Sequence, residues 1–479
     1  MIARRRITSD VAIQIFGKAA LVVISVAVTA ILVRSLGEGR YGQWATLLAL
    51  MQIIGNFGQL GLQETSVRRI VRRPADGPAV LGTVLVIECL VSLPLAGICA
   101  GISWLIASTP AMRIAGVLIS ATVIGLAPSI VSLIFQVRIR NDLTVLASFV
   151  NTCLWSILVL LIASEGGSLI AYGFAYLAAY TVPSLLQVGF ARRLSSFSFT
   201  RVRELSAPML RAGLPLGLSV LLTFAYARVD QVLVFTIAGD RAASLYGAVY
   251  RIFDQAQFIP LSVMTTLLPL FVAHRGDHRR LPRLVQRASD YLLIVAAPAL
   301  MFAIVAGGPV AGWLFGPAFA PAGTALALLM ATYALLCYGY LYAQLLVAFG
   351  LQRGFLQFTL IGLGINVAMN FALLPEFGYT AAAAAAMITQ GVVTVLCFLH
   401  APRHGRAFPR RRVVVGVTIA SCLLAGVLLA LRQVGAPTLG LLITAPVVYF
   451  SVIAVCRVVT LRELVSLGSG HLASSAGPD

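Results

Sequence analysis

Charged side chains recur inside two consecutive apolar runs near the middle of the chain, where a lipid bilayer would make them costly. They are Arg228, Asp230, Arg251 and Asp254. In an antiparallel hairpin, Asp230 would lie level with Arg251 and could form an ion pair, and Arg228 could pair likewise with Asp254. These pairs could simply neutralise buried charge. Alternatively, an arginine could exchange its carboxylate for a phosphate, to which its planar fork can donate two hydrogen bonds at once.

Polar side chains also follow one face of the first two apolar runs. Gln52, Asn56 and Gln59 recur at a spacing that places them on one side of a helix. Such a stripe should face either a polar cavity or a neighbouring helix through interhelical hydrogen bonds. Lys18 in the first run lies about as deep as Glu88 in the third, so these two residues could pair. If they do not, Lys18 is a further cationic contact on the other half of the chain.

The elements that must position these residues are membrane-spanning helices. Of the 479 residues, 59% are hydrophobic and only 11% are charged, and the mean hydropathy is +0.95. Soluble domains carry about 25% charged residues, so a soluble enzyme, a fibrous protein and a disordered protein are excluded. A spanning helix needs about 20 mainly apolar residues, and fourteen such runs predict an all-α polytopic membrane protein. The runs lie near residues 11–33, 41–63, 79–106, 114–136, 144–163, 168–190, 212–237, 244–272, 288–315, 320–348, 355–375, 378–399, 413–431 and 438–458.

The basic residues predict the orientation of these helices. They number 35 against 16 acidic residues, and Lys18 is the only lysine. With the N-terminus inside, 27 basic residues fall in inner loops and five in outer loops, as the positive-inside rule requires. We therefore expect both termini in the cytoplasm. Because the positive charge lies in short clusters between apolar runs, it indicates membrane loops and no nucleic-acid partner.

The chain contains two similar halves. The hairpin that closes near Tyr41–Gly42 is matched by one that closes near Tyr246–Gly247, at an offset of 205 residues. Six helices per half is an even number, so both halves would insert in the same orientation with a site between them near mid-membrane. The predicted domains are an N-terminal lobe over 1–190, a cytoplasmic linker over 191–211, a C-terminal lobe over 212–400, and an extra helix pair with a tail over 401–479.

The sequence lacks the common motifs of catalysis and cofactor binding. It contains no P-loop, no H-E-x-x-H zinc motif and no G-x-S-x-G nucleophile elbow. All seven cysteines lie inside apolar runs without metal-ligand spacing, as buried hydrophobic residues do. We therefore expect no catalytic residue, no metal, no cofactor and no enzymatic activity. A glycan polymerase or ligase is the enzyme alternative, but the predicted outer loops are only a few residues long.

Three segments resemble a known family. They run from Val33 to Arg69, from Arg228 through Tyr246 to Pro269, and from Asn366 to the alanines at 381–386. These segments are similar to the bacterial polysaccharide flippases (O-antigen, exopolysaccharide and teichoic acid) of the multidrug/oligosaccharidyl-lipid/polysaccharide exporter superfamily. The resemblance spans residues 1–400. It implies two six-helix lobes in a V and a location in the bacterial cytoplasmic (inner) membrane.

The resemblance also implies an activity, the translocation of undecaprenyl-pyrophosphate-linked oligosaccharide for lipopolysaccharide and other surface polysaccharides. We expect it to proceed by alternating access. The expected substrate contacts are Lys18, Gln52, Asn56, Gln59, Arg228 and Arg251, and the candidate ion-coupling residues are Glu88, Asp230 and Asp254. The expected partners are the lipid-linked substrate, membrane lipid, and a polysaccharide polymerase or glycosyltransferases. The alternatives are a multidrug/cation antiporter and a peptidoglycan lipid-precursor flippase of the same superfamily.

Overall fold

A computed structural model describes residues 22–57 and 61–456, and helices account for nearly all of them. Each predicted span falls on a helix or on a run of helices, the first being described only from Val22 onward. The helices are α1 (Val22–Leu36), α2 (Arg40–Phe57), α3 (Leu62–Arg72), α4 (Gly77–Ile106), α5 (Pro110–Leu126), α6 (Leu133–Val137), α7 (Asn141–Ser164), α8 (Leu169–Leu194), α9 (Val202–Leu233), α10 (Gly239–Ala256), α11 (Phe258–Ala273), α12 (Arg280–Phe315), α13 (Gly323–Ala348), α14 (Gln352–Phe377), α15 (Tyr379–His400), α16 (Arg411–Gln433) and α17 (Thr438–Val455).

These helices have the length and composition of membrane spans. Within the described ranges, 11 helical segments are long and apolar enough to cross a membrane. One of them, Val202–Ala273, contains α9, α10 and α11 and therefore covers two predicted spans. The prediction of an all-α polytopic membrane protein is confirmed.

The second predicted span, 41–63, differs from the structure in its inner part. α2 ends at Phe57, and α3 is a separate helix that carries Arg69 and Arg72 in its last turn. Gly61 precedes α3 with a φ of 60°, a left-handed conformation that favours glycine. A Cβ at this position would collide with the Leu216 side chain of α9. The local backbone and the close approach to α9 thus set where α3 begins.

The predicted linker, 191–211, is largely helical, because α8 continues to Leu194 and α9 begins at Val202. Asp76, just before α4, receives a hydrogen bond of 2.8 Å from Arg201 Nη1, which fixes the connection.

The chain divides into two compact units. Unit A contains residues 31–247 and 359–382, and unit B contains the described residues among 22–30, 248–358 and 383–456. This division follows packing between helices. The two lobes and the appended pair defined from the sequence stay a prediction.

Unit A contains an aromatic cluster between α2, α7 and α8. Trp44 is 1% exposed, and its ring stacks on Trp155 with centroids 5.8 Å apart and planes 6° from parallel. Tyr176 meets both indoles edge-on, with centroids 5.6 and 5.5 Å away. Offset stacks and edge contacts of this kind are the favoured arrangements of aromatic rings, and they hold the three helices together.

Unit B is built around the long helix α12. The predicted extra pair, α16 and α17, packs against it through an apolar core that includes Val310, Leu424 and Tyr449. At one end of α12, the buried carboxylate of Asp290 accepts hydrogen bonds from the backbone nitrogen and Nε of Arg410, at 2.8 and 2.6 Å. The extra pair is therefore part of the core of this unit.

Candidate functional site

A buried carboxylate on α9 is the centre of a polar cluster in unit A. Asp230 is 3% exposed, and two neutral groups donate to it. Tyr246 Oη lies 3.2 Å from Oδ2, and Asn370 Nδ2 lies 3.0 Å from Oδ1. Each carboxylate oxygen therefore has a donor, as a buried polar group requires. Because the donors belong to α10 and α14, this single side chain joins three helices.

The amides on α14 continue this cluster. Asn366 and Asn370 lie one turn apart and are 1% and 0% exposed. Asn370 Nδ2 is within hydrogen-bond distance of the backbone oxygen of Asn366, at 2.9 Å, and of its Oδ1, at 3.0 Å. An amide nitrogen has only two hydrogens, so these two acceptors and Asp230 share them. Among the described residues, Asn370 Oδ1 has no hydrogen-bond partner, which leaves an acceptor available inside the cluster.

The hydrogen-bond environment of Asp230 within unit A is neutral. Its partners there are Tyr246 and Asn370, and the possible pairing with Arg251, which belongs to unit B, stays a prediction. Asp230 lies two residues after Arg228, which is about 200° around a helix, so the two side chains cannot face the same neighbour. Asp230 faces the phenol and the amides instead.

A second buried carboxyl group of unit A lies on α4. Glu88 is 6% exposed, and its Oε2 atom has no hydrogen-bond partner among the described residues. Carboxyl groups at such positions are rare in spanning helices and mark functional sites. Lys18, with which the sequence paired Glu88, lies outside the described residues.

Two of the predicted sugar contacts lie on α2. Gln52 and Asn56 are half-buried, and Asn56 Nδ2 donates to the backbone oxygen of Gln52 at 2.7 Å. This hydrogen bond therefore lies within one helix turn. Gln59 lies outside the described residues.

The remaining predicted residues belong to both units. Arg228 is half-buried on α9 in unit A, and Arg251 and Asp254 are half-buried on α10 in unit B. A common cavity for these residues stays a prediction.

The hairpin between α9 and α10 is anchored on α2. The hydroxyl oxygen of Ser244 accepts hydrogen bonds from the backbone nitrogens of Gly39 and Gly42, at 2.9 and 2.6 Å. Gln43 Nε2 donates to Asp240 Oδ2 at 2.6 Å. A Cβ on Gly42 would collide with the carbonyl oxygen of Asp240, so glycine is required for this approach. The anchor fixes the helices that carry Asp230 and Tyr246.

Sequence reasoning missed three members of the cluster as site residues: Tyr246, Asn366 and Asn370. The two asparagines are separated by four residues inside an apolar run, a spacing that places both on one face of a helix. That pattern could have identified them, in the same way as the amide stripe on α2. Within the described ranges, no group of three or more histidine, cysteine or acidic side chains could hold a metal ion.

Comparison with known proteins identifies the family of this sequence. Residues 7–274 match the family described as polysaccharide biosynthesis protein. The probable flippase AglR of Haloferax volcanii is 21% identical over 220 residues, which are 44% of this chain and 46% of that protein. The chain thus spans about half the length of this curated relative.

Two solved structures share the fold. The lipid II flippase MurJ, in an inward closed conformation, gives a TM-score of 0.75 at 13% identity over 95% of this chain and 99% of MurJ. An inward-facing multidrug resistance MATE family transporter of the MOP superfamily gives 0.63 at 16% identity, over 79% of this chain and 92% of that one. These relatives are described as flippases and transporters. Since the family match covers more than half of the sequence, the chain belongs to the polysaccharide biosynthesis protein family and has the all-helical fold of MOP superfamily transporters.

Proposed function

We propose that the protein is a flippase that moves undecaprenyl-diphosphate-linked oligosaccharide across the bacterial cytoplasmic membrane. The observation that carries this proposal is the family membership, combined with a fold shared with a lipid II flippase over 95% of the chain. Glycosyltransferases would deliver the substrate on the cytoplasmic side, where both termini would lie. A polysaccharide polymerase would take it on the other side.

The proposed substrate contacts follow from the chemistry of the cargo. Lys18, Arg228 and Arg251 would bind the diphosphate, because guanidinium and ammonium groups donate to several phosphate oxygens. The amides of Gln52, Asn56 and Gln59 would bind sugar hydroxyls, which both donate and accept hydrogen bonds. The prenyl tail would stay in lipid while the head group passes by alternating access between lobes 1–190 and 212–400.

The Asp230 cluster supports a role in coupling transport to a proton. A charged carboxylate accepts from both Tyr246 and Asn370. A protonated carboxyl group has one O–H donor, so one of those two hydrogen bonds must be lost or reversed on proton uptake. Protonation would therefore change how α9 is held to α10 and α14. Glu88 and Asp254 are the other two proposed coupling residues.

A transport assay tests the proposal directly. Proteoliposomes would contain a fluorescent lipid-linked oligosaccharide, and a membrane-impermeant quencher would report how much of it crosses the bilayer. We expect transport by the wild type and at least a tenfold loss in Arg228→Gln/Arg251→Gln. The matched control is Arg138→Gln, which changes an exposed arginine just after α6. Absence of wild-type transport would refute the function, and full activity of the double variant would refute the site.

The same assay distinguishes the second candidate, a peptidoglycan lipid-precursor flippase. This candidate is favoured by the TM-score of 0.75 to the lipid II flippase. If lipid II crosses the bilayer at least as fast as the oligosaccharide diphosphate, the second candidate replaces the first. Drug resistance of an overexpressing strain, without glycan transport, would instead identify a multidrug/cation antiporter.

A further inference from the structure

Unit A contains a pocket between α3 and the first turns of α9. Its volume is about 510 Å³, within the range of small-molecule sites, about 300–1,000 Å³. Five residues of α3 and its C-terminal cap form one wall, and three residues of α9 form the other. The lining residues are Thr65, Arg68, Arg69, Arg72 and Arg73 on the first side and Pro208, Met209 and Ala212 on the second.

Helix periodicity explains why the arginines converge on this pocket. Positions 65, 68, 69, 72 and 73 follow the spacing of one helix face. Gly61 brings the start of α3 against α9, because only a residue without a side chain fits beside Leu216. Four guanidinium groups are therefore presented along a single wall.

In the part of the chain that the structure describes, no acidic side chain lines the pocket. Among the described residues, none of the four arginines forms an ion pair. The nearby carboxylates are already bound by Arg201, whose Nη atoms lie 2.8 Å from Asp76 Oδ1 and 2.6 Å from Glu204 Oε1. Glu204 also attracts Arg69 of the pocket electrostatically, but the four arginines keep an excess of positive charge within the described ranges.

The second wall indicates the kind of ligand. Met209 is buried, while Leu214, Leu216 and Leu218, further along α9, are 52%, 44% and 49% exposed. Leu214 and Leu218 lie one turn apart on α9, so an exposed apolar face continues from the pocket along this helix. An anion bound among the arginines would therefore lie beside the start of a hydrocarbon surface, which suits a phosphorylated lipid better than a free phosphate.

We propose that this pocket binds the diphosphate head group of a prenyl-linked lipid before the lipid enters the transport path. The inference rests on the proposed function and deepens it by adding a capture site distinct from Arg228 and Arg251. A diphosphate carries more charge and more acceptor oxygens than the single phosphodiester of an ordinary phospholipid. Four arginines can pair bidentately with those oxygens, whereas a phosphodiester engages only part of the wall.

Binding to the full-length protein in nanodiscs of neutral phosphatidylcholine tests this site. The probes are undecaprenyl diphosphate, undecaprenyl monophosphate and inorganic pyrophosphate, each titrated at low and high salt. We expect undecaprenyl diphosphate to bind most tightly. Its Kd should rise about tenfold or more in Arg68→Gln/Arg72→Gln, equivalent to about 1.4 kcal/mol, and high salt should weaken binding.

The matched control is Arg192→Gln/Arg193→Gln, which removes the same charge from two exposed arginines in the last turn of α8. Its Kd should change less than twofold. Arg68 and Arg72 are exposed, so both double variants should stay folded, which size-exclusion chromatography checks.

Three results would overturn the capture site: an unchanged Kd in the pocket variant, an equal loss in the control, or equal competition by phosphatidylglycerol or pyrophosphate. If the wild type transports the lipid and the pocket variant binds the diphosphate with unchanged Kd, only the capture site is refuted. Absence of both transport and binding in the wild type defeats the proposed function. Loss of diphosphate binding in the pocket variant alone supports the inference.

Discussion

The phenol of Tyr246 should stabilise unit A mainly through the charge of its acceptor. Its hydroxyl lies 3.2 Å from Asp230 Oδ2. A hydrogen bond to a charged group contributes about 1.5–3 kcal/mol and one between neutral groups about 0.5–1.5 kcal/mol. Tyr246→Phe should therefore lower the free energy of unfolding by about 2 kcal/mol in the wild type. In the Asp230→Asn background the same change should cost about 1 kcal/mol or less.

The difference between these two costs is the coupling energy of a double-mutant cycle, expected at about 1 kcal/mol. Unfolding in mixed micelles with increasing sodium dodecyl sulfate, followed by circular dichroism, gives the four free energies. The control is Tyr172→Phe, whose hydroxyl bonds the neutral hydroxyl of Ser35 at 2.7 Å and shares no partner with Asp230. It should cost about 1 kcal/mol in both backgrounds. Equal costs of Tyr246→Phe in both backgrounds would refute a charge-dependent contact.

Two further perturbations test the packing of α2 and the connection before α9. Gly42→Ala should destabilise the protein by about 1–3 kcal/mol, because the new Cβ collides with the Asp240 carbonyl oxygen. The control is Gly101→Ala, whose Cβ meets no atom within 4 Å and which should change the free energy of unfolding by less than about 0.5 kcal/mol. Similar losses in both variants would contradict the predicted collision. Arg201 donates hydrogen bonds to the carboxylate of Glu204, so this pair stabilises the fold while Glu204 is charged and is lost when acid protonates it. Between pH 6 and about 3.5, the thermal midpoint of unfolding should therefore fall more for the wild type than for Arg201→Gln. An equal fall in both proteins would argue against a stabilising pair of Arg201 and Glu204.

The helices themselves could be predicted because lipid imposes a strong constraint on sequence. The predicted run 79–106 and α4, Gly77–Ile106, nearly coincide, since hydropathy alone determines where such a helix enters and leaves the bilayer. The break at Gly61 was missed, because the hydropathy pattern continues through this position. Its position depends on a left-handed glycine and on contact with Leu216 of α9, neither of which hydropathy records.

The candidate site was only partly predictable for a related reason. A charge inside an apolar run identified Asp230, but its partner could not be read from the neighbouring helix. The amide of Asn370 comes from 140 residues away, and contacts over such separations depend on how helices pack. Comparing the depths of residues within one hairpin takes in only two of the helices that surround Asp230. That comparison pointed to Arg251 and did not find Asn370.

The stacked pair of Trp44 and Trp155 gives the protein an intrinsic optical reporter. Two parallel indoles 5.8 Å apart couple their strong far-ultraviolet transitions and should produce a paired band of opposite signs in the circular dichroism spectrum. The other two tryptophans, Trp104 and Trp313, are 52% and 44% exposed, and they should add little to this band. Loss of the band when cargo is added would therefore mean that α2 and α7 separate, and its persistence would mean that they move together, in either case without a label.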